Sequence, residues 1–305
     1  MVKWLALLGM SSVLLLSGCA TQQETSEHWV FPAMAVPLQP SAEQQVKIAQ
    51  LTQLLARKNL PADVRAKMLV ERGHFYDSVG LDELARVDFF QSLKINPQQP
   101  AIFNILGVYE TQRANFDDAY QFFDSTLELN PQDTFAQRNR AIALYYGERY
   151  LLALEDMNAY WREDPSDPFR VLWRYVIEQK VDPQQAKAHL AESYQQRNAR
   201  WGWLIVAVML DEISERQAFQ VVMDNSENNN DLAERLTELY FYMGKKYQIN
   251  QDYAHAISLY KLVLSYNVFD YLEHRYTFVE LGNIYRSLTL DEEESASAKD
   301  DSAEQ

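Results

Sequence analysis

A period of 34 residues constrains the fold of this chain more than any other feature of its sequence. Three prolines lie 34 positions apart, and small and aromatic residues recur at the same step before each of them. The columns are Pro97, Pro131 and Pro165; Gly73, Gly107 and Ala141; Ala85, Ala119 and Ala153; and Phe89, Phe123 and Met157. Small residues let two helices cross closely, whereas a proline cannot continue a helix. The spacing therefore predicts a repeated pair of helices.

A fourth copy of the pattern occurs later, out of phase with the first three, at Tyr240, Gly244, Ala256 and Tyr260. These columns resemble the tetratricopeptide (TPR) repeat. The resemblance implies an all-α, TPR-type superhelix (an α-solenoid), to which the sequence adds extra N- and C-terminal helices. We place the copies at about 66–99, 100–133, 134–167 and 237–270, in a repeat domain of residues 63–290. The residues assigned to repeat packing are Gly73, Gly107, Ala85, Ala119, Ala153, Gly244 and Ala256.

The start of the chain resembles the signal of a bacterial lipoprotein. Lys3 precedes an apolar run from Trp4 to Leu16, which is too short to span a bilayer and is typical of a secretory signal. The string Leu16-Ser17-Gly18-Cys19 resembles a lipobox, which implies removal of signal peptide 1–18 and attachment of diacylglycerol and an N-acyl chain to Cys19. The residue that follows, Ala20, implies by the same resemblance an outer-membrane location facing the periplasm. The alternative is an ordinary signal peptide with an incidental cysteine.

The segments outside the repeats differ in composition. Residues 19–40 carry three prolines and are predicted to form a lipidated extended tether. Its apolar residues Trp29, Val30, Phe31 and Val36 are unusual for a spacer and suggest packing on the body or on a second subunit. An N-terminal helix is expected over 41–62 and a closing helix over 271–288, as a cap for the array. Residues 291–305 hold seven acidic residues against one lysine, which predicts a disordered acidic tail.

The sequence contains no pattern typical of a catalytic or metal site. It has no Gly-x-Ser-x-Gly elbow, phosphate-binding loop or His-Glu-x-x-His pair, and its five histidines are far apart. A net charge of −15 argues against binding nucleic acid through a general basic surface. We therefore predict a protein that is not an enzyme, with no metal and no cofactor besides the covalent lipid. An enzyme assembled from distant residues is the remaining alternative.

The first helix of each repeat is expected to line an inner groove that binds a partner. The residues placed on it are Lys67, Glu71, His74, Asn104, Arg138, Asn139, Tyr145 and Trp173. Amide and guanidinium groups suit a peptide backbone, and aromatic rings suit its side chains, whether the peptide is extended or helical. The alternative is that these residues only keep the groove hydrated. For Arg138, the central cation, an internal ion pair with Glu110 is a second alternative.

Several local strings add a more specific resemblance, to the NlpI-type TPR lipoproteins of the enterobacterial outer membrane. They include Glu71-Arg72-Gly73, Tyr76-Asp77-Ser78, Trp201-Gly202-Trp203 and Glu273-His274-Arg275-Tyr276. The resemblance implies a homodimer that acts as an adaptor, bringing murein hydrolases such as the endopeptidase MepS to the periplasmic protease Prc. It also implies contacts with other cell-wall enzymes, including peptidoglycan synthases and amidases. The alternative function is a general envelope scaffold that does not promote proteolysis.

Replacing Cys19 with serine tests the lipobox prediction. Cys19→Ser removes the sulfur that accepts the diacylglycerol, so the protein should accumulate in a soluble or unprocessed form. Membrane fractionation and mass spectrometry of the N terminus measure this. A mature, acylated Cys19→Ser protein in the outer-membrane fraction would contradict the prediction.

Overall fold

The helix pairs expected from the 34-residue period are present in the structure. A computed structural model describes the backbone of residues 32–303 and the side chains of residues 32–289, so Cys19 and the signal lie outside the described residues. The described part consists of fourteen α-helices without a β-strand, which confirms the all-α class. Helices α1 to α7 are Ala42–Leu55, Ala62–Ser78, Asp82–Ile95, Pro100–Gln112, Phe116–Leu129, Thr134–Tyr146 and Tyr150–Glu163. Helices α8 to α14 are Pro168–Glu178, Pro183–Gln195, Trp203–Met209, Glu215–Asn225, Asn229–Ile249, Tyr253–Ser265 and Leu272–Ala303.

Four helix pairs correspond to the four copies, namely α2 with α3, α4 with α5, α6 with α7, and α12 with α13. The glycine of the first helix lies directly against the aromatic ring of the second. A Cβ placed on Gly73 would lie 2.5 Å from the Phe89 ring, and one on Gly107 would lie 2.6 Å from Phe123. The fourth copy repeats this contact between Gly244 and Tyr260 at 2.5 Å. The alanines of the second helices, Ala85, Ala119, Ala153 and Ala256, are fully buried.

The turn inside each repeat also follows the period. Gly80, Ala114 and Glu148 lie 34 positions apart and have φ values of 76°, 59° and 61°, and Gln251 has 62° in the fourth copy. This left-handed conformation is strained for residues with a Cβ, at about 1–2 kcal/mol each. Alanine, glutamate and glutamine are not typical turn residues, so the sequence does not predict this left-handed position.

The predicted start of the N-terminal helix agrees with the structure better than its predicted end. Ser41 caps α1: its Oγ accepts from Gln44 N at 3.1 Å, and the Gln44 side chain accepts from Ser41 N at 2.8 Å. Helix α1 ends at Leu55, short of the expected residue 62, and α2 begins directly after Pro61. Asp182 likewise caps α9, where it accepts from the backbone N–H groups of Gln184 and Gln185.

The described end of the tether packs on the body. Residues 32–40 contain no helix, yet Ala33 and Ala35 are buried. The carbonyl oxygen of Ala33 accepts from the hydroxyl of Tyr240 at 2.6 Å and from that of Tyr266 at 3.1 Å. The backbone N–H of Val36 donates to Asn229 at 2.8 Å. The other apolar tether residues, Trp29, Val30 and Phe31, lie outside the described residues.

The last helix differs most from its prediction. Helix α14 contacts α4, α12 and α13, so it packs along the array rather than across its end. Its backbone continues through Ala303, where the sequence predicted a disordered tail from residue 291. Residues 290–303 contain no proline or glycine and are rich in glutamate and alanine, which are good helix formers. No helix among residues 32–303 combines the length and hydropathy that crossing a bilayer requires.

Two glycine substitutions test the assigned repeat packing. Gly107→Ala should lower the free energy of unfolding by about 1–3 kcal/mol, because the new methyl group overlaps the Phe123 ring. Gly282 lies at an exposed position of α14, and a new Cβ there has no other atom within 4 Å. Gly282→Ala should therefore raise the free energy of unfolding by up to about 1 kcal/mol, because alanine has the higher helix propensity. Urea denaturation of both variants measures the difference. Equal effects would show that the Gly107 contact is misassigned.

Candidate interaction surface

Helix α14 occupies the inner side of the first helices. Arg275 Nη2 donates to Asp77 of α2 at 2.8 Å. The next residue, Tyr276, packs its ring against Tyr146 of α6, with centroids 5.3 Å apart, and edge-on against Trp173 of α8 at 6.2 Å. The part of the predicted groove near Tyr146 and Trp173 is therefore filled by the chain's own C-terminal helix.

A buried ion pair fixes the position of α14. Lys245 Nζ of α12 lies 2.6 Å from Glu280 Oε1, and both side chains are at most 3% exposed. Two tyrosines of α6 complete the cluster: Tyr145 accepts from Lys245 at 2.8 Å, and Tyr146 donates to Glu280 at 2.7 Å. Burial, reinforced by the charge of Glu280, raises the pKa of Tyr146 well above its ordinary value, so this hydroxyl stays protonated and donates. Every polar group of the cluster has a partner.

Three of the predicted groove residues are buried. Tyr145 is 7% exposed, Trp173 is 2% exposed and Asn139 is 3% exposed. Their groove assignment is corrected, because side chains buried to this extent do not line an open groove. Tyr145 binds the buried lysine, and Trp173 packs between Phe241, Tyr242 and Tyr276.

Arg138 and Asn104 remain half-buried and belong to one hydrogen-bonded chain. Arg138 Nε donates to Asn139 Oδ1 at 3.1 Å, and Asn139 Nδ2 donates to Asn104 Oδ1 at 3.0 Å. The guanidinium of Arg138 also lies 5.2 Å from the centre of the exposed Phe135 ring. It does not pair with Glu110, which lies 3.4 Å from Arg86 instead. The ion-pair alternative for Arg138 is therefore not what the structure contains.

The three predicted groove residues of α2 are exposed. Lys67, Glu71 and His74 lie one helical turn apart, and the His74 ring packs edge-on against Phe89 at 5.3 Å. Within residues 32–289, neither Lys67 nor Glu71 forms an ion pair. Lys67 and Glu71 are therefore available to another molecule without breaking an internal ion pair.

Two exposed aromatic residues of α14 were missed by the sequence analysis. Phe278 is 57% exposed and Tyr285 is 49% exposed, and Gly282 lies between them on the same helix face. We call these three residues the α14 stripe. A cavity of about 200 Å³ adjoins Phe278 and is also lined by Asp77 and His274. Burial, followed by the charge of Arg275, lowers the pKa of His274 to about 4, so its ring is neutral at physiological pH.

The only sequence feature that marks the α14 stripe is the spacing of seven residues between Phe278 and Tyr285. The same spacing is expected in a helix that caps the array, and the local sequence does not show which face of the helix is exposed.

Residues 32–289 contain no group of three His, Cys, Asp or Glu side chains placed to hold a metal ion.

Comparison with known proteins found similar solved structures of low identity. No protein-family model matches the chain. Similar solved structures include a TPR protein of Parabacteroides merdae, with 18% identity, covering 73% of this chain and 78% of that one, and a TM-score of 0.47. The C-terminal part of a TPR protein of Cytophaga hutchinsonii has 15% identity over 73% of this chain and 90% of that one, with a TM-score of 0.39. PilF of Pseudomonas aeruginosa has 13% identity over 68% and 97%, with a TM-score of 0.42. The TPR-type assignment therefore rests on the helix pairs and glycine–aromatic contacts described above.

Neutralising one member of the buried ion pair tests its role in holding α14. Glu280→Gln leaves the Lys245 charge buried without a counter-charge and should lower the free energy of unfolding by about 3–5 kcal/mol. Asp211→Asn is the matched control, since it removes a carboxylate from the neighbouring Lys246 at a site where Asp211 is 73% exposed. Because water reaches the Asp211 carboxylate, this pair should contribute only about 1 kcal/mol. Similar melting temperatures for the two variants would contradict the assignment.

Proposed function

We propose that this protein is a non-catalytic adaptor that binds other proteins through the surface formed by the α14 stripe and the exposed residues of α2. The observation that carries the proposal is the exposure of Phe278 and Tyr285 on a helix whose opposite face is locked by a buried ion pair. Exposed aromatic residues on a rigid element lose little conformational entropy when a partner covers them. A helix face that only contacts water does not require aromatic side chains at both Phe278 and Tyr285.

The exposed α2 side chains add polar groups to the proposed surface. Lys67, Glu71 and His74 offer a cation, a carboxylate and an imidazole, and α2 is joined to α14 by the bond from Arg275 to Asp77 at 2.8 Å. Interfaces typically combine an apolar centre with a charged rim that selects the partner and its orientation. This combination favours a protein ligand over a small molecule.

The partners we propose follow from the resemblance to the NlpI-type lipoproteins. The adaptor would be held by the lipid on Cys19 at the periplasmic side of the outer membrane and would bring a MepS-like endopeptidase to the protease Prc. Holding both on one protein makes their encounter intramolecular, which raises the rate without any chemistry by the adaptor. It would act as a homodimer, with α1 contributing to the contact; exposed Val46 of α1 supports this. The second candidate is a scaffold for cell-wall synthases and hydrolases.

A double substitution in the α14 stripe tests the adaptor proposal. Phe278→Ser with Tyr285→Ser should reduce the rate at which Prc degrades MepS in the presence of this protein by at least tenfold. The matched control is Leu151→Ser with Leu152→Ser on α7, which removes two side chains that are 73% and 52% exposed. The control should retain full activity, and both variants should keep the wild-type melting temperature.

The same assay separates the two candidate functions. An adaptor increases the rate of MepS loss in proportion to its concentration until both partners are saturated. A scaffold binds its partners while the rate of MepS loss stays at the level of Prc alone. A stripe variant that is as active as the wild type would remove the α14 stripe from the site.

A further inference from the structure

A second cavity lies away from the α14 stripe, between the C-terminal end of α9 and helices α10, α11 and α12. Its volume is about 570 Å³, within the range of roughly 300–1,000 Å³ that is usual for ligand sites. None of the residues predicted for the groove lines it. Its lining is mixed: the apolar part includes Tyr194, Trp201, Trp203 and Leu204, and the polar part consists of arginine and asparagine side chains.

The charge of this cavity is opposite to that of the protein. Three arginines line it, Arg197, Arg200 and Arg235, and no aspartate or glutamate does, in a chain whose net charge is −15. Two of these arginines are already neutralised, because Arg200 lies 2.8 Å from Asp164 and Arg235 lies 2.8 Å from Asp231.

Arg197 supplies the remaining positive charge. Its guanidinium lies 4.2 Å from the centre of the Tyr194 ring, and Nη1 donates to the Tyr194 carbonyl oxygen at 3.0 Å. It pairs with no carboxylate among residues 32–289. The side chain is thus held at the rim by stacking and one hydrogen bond. A guanidinium has five N–H donors, so others remain for a ligand.

The loop that forms the rim is preorganised. Asn198 Oδ1 accepts from the indole N–H of Trp203 at 3.0 Å and from Arg200 N at 3.0 Å. Asn198 Nδ2 donates to the carbonyl oxygen of Ser166 at 3.1 Å. Because these bonds tie the loop to two other segments, a ligand that enters the cavity does not have to order it.

We propose that this cavity binds an acidic peptide segment of a partner protein. A large apolar side chain of the peptide occupies the space between Trp201, Trp203 and Val221, and an adjacent Asp or Glu carboxylate pairs with Arg197. A charge-assisted bond to guanidinium gives selectivity for the carboxylate, and burial of the apolar side chain gives affinity. The site does not depend on the partners proposed above, since none of their residues enters the argument.

Peptide binding to the purified full-length protein tests this site. The probes are fluorescein-labelled hexapeptides, blocked at both ends, that pair Phe, Leu or Trp with a neighbouring Glu or Asp, and each has a Gln or Asn counterpart. Fluorescence anisotropy should show acidic peptides that bind at least tenfold more tightly than their amide counterparts. Arg197→Ala should abolish this preference, and Arg149→Ala should preserve it, since Arg149 stacks on Tyr120 in the same way elsewhere.

A second pair of variants tests the position of the ligand. Val221→Glu places a negative charge at the rim and should weaken binding at least tenfold. Met223→Glu adds the same charge two residues away on α11, outside the cavity lining, and should bind as the wild type does; Val221 and Met223 are 43% and 55% exposed.

Four results would overturn the proposal. They are equal binding of the acidic and amide peptides, full binding by both Arg197→Ala and Val221→Glu, binding only by added versions of the peptides whose C-terminal carboxylate is left unblocked, and displacement of every probe by a peptide of residues 291–305. The last result would make the chain's own acidic end the occupant.

Discussion

The rest of the structure depends on the contact between Lys245 and Glu280. A buried ion pair adds little net stability, because removing two charges from water costs about as much as their attraction returns. It does specify position. If α14 moved by one turn along the array, the Glu280 carboxylate and the Lys245 ammonium would both be buried without a partner. One register of α14 is therefore strongly preferred, and that register exposes Phe278 and Tyr285.

The repeats could be predicted because each depends on local steric rules. A small residue against a large side chain of the second helix recurs in all four copies, as Gly107 with Phe123 shows, and a proline follows the second helix in the first three. The position of α14 could not be predicted in this way. Its buried contacts join residues that are far apart in sequence, such as Tyr146 and Glu280, and no periodicity links them. The groove assignment of Tyr145 and Trp173 was wrong for this reason. Their contacts are with Lys245 and Tyr276, which lie more than 90 residues away in the same chain.

The two surfaces proposed here differ in chemistry, which matters if the protein holds two partners at once, as proposed. The α14 stripe is aromatic, whereas the cavity near Arg197 combines apolar side chains with a guanidinium that pairs with no described carboxylate. Partners selected by different chemistry do not compete for the same surface. An overall charge of −15 would otherwise repel acidic segments, so a local positive site is what permits an acidic partner to bind.

The contact between the tether and the body would limit the distance of these surfaces from a membrane anchor. Tyr240 and Tyr266 donate to the Ala33 carbonyl oxygen and hold it to the fourth repeat, and we call this contact the clamp. If Cys19 is acylated as proposed, about 14 residues join it to the clamp, and they span at most about 50 Å when fully extended. A partner bound to the body then stays within a short, fixed radius of the anchor. Loss of the two tyrosine hydroxyls would lengthen that radius without changing either binding surface, which separates the reach of the adaptor from its affinity.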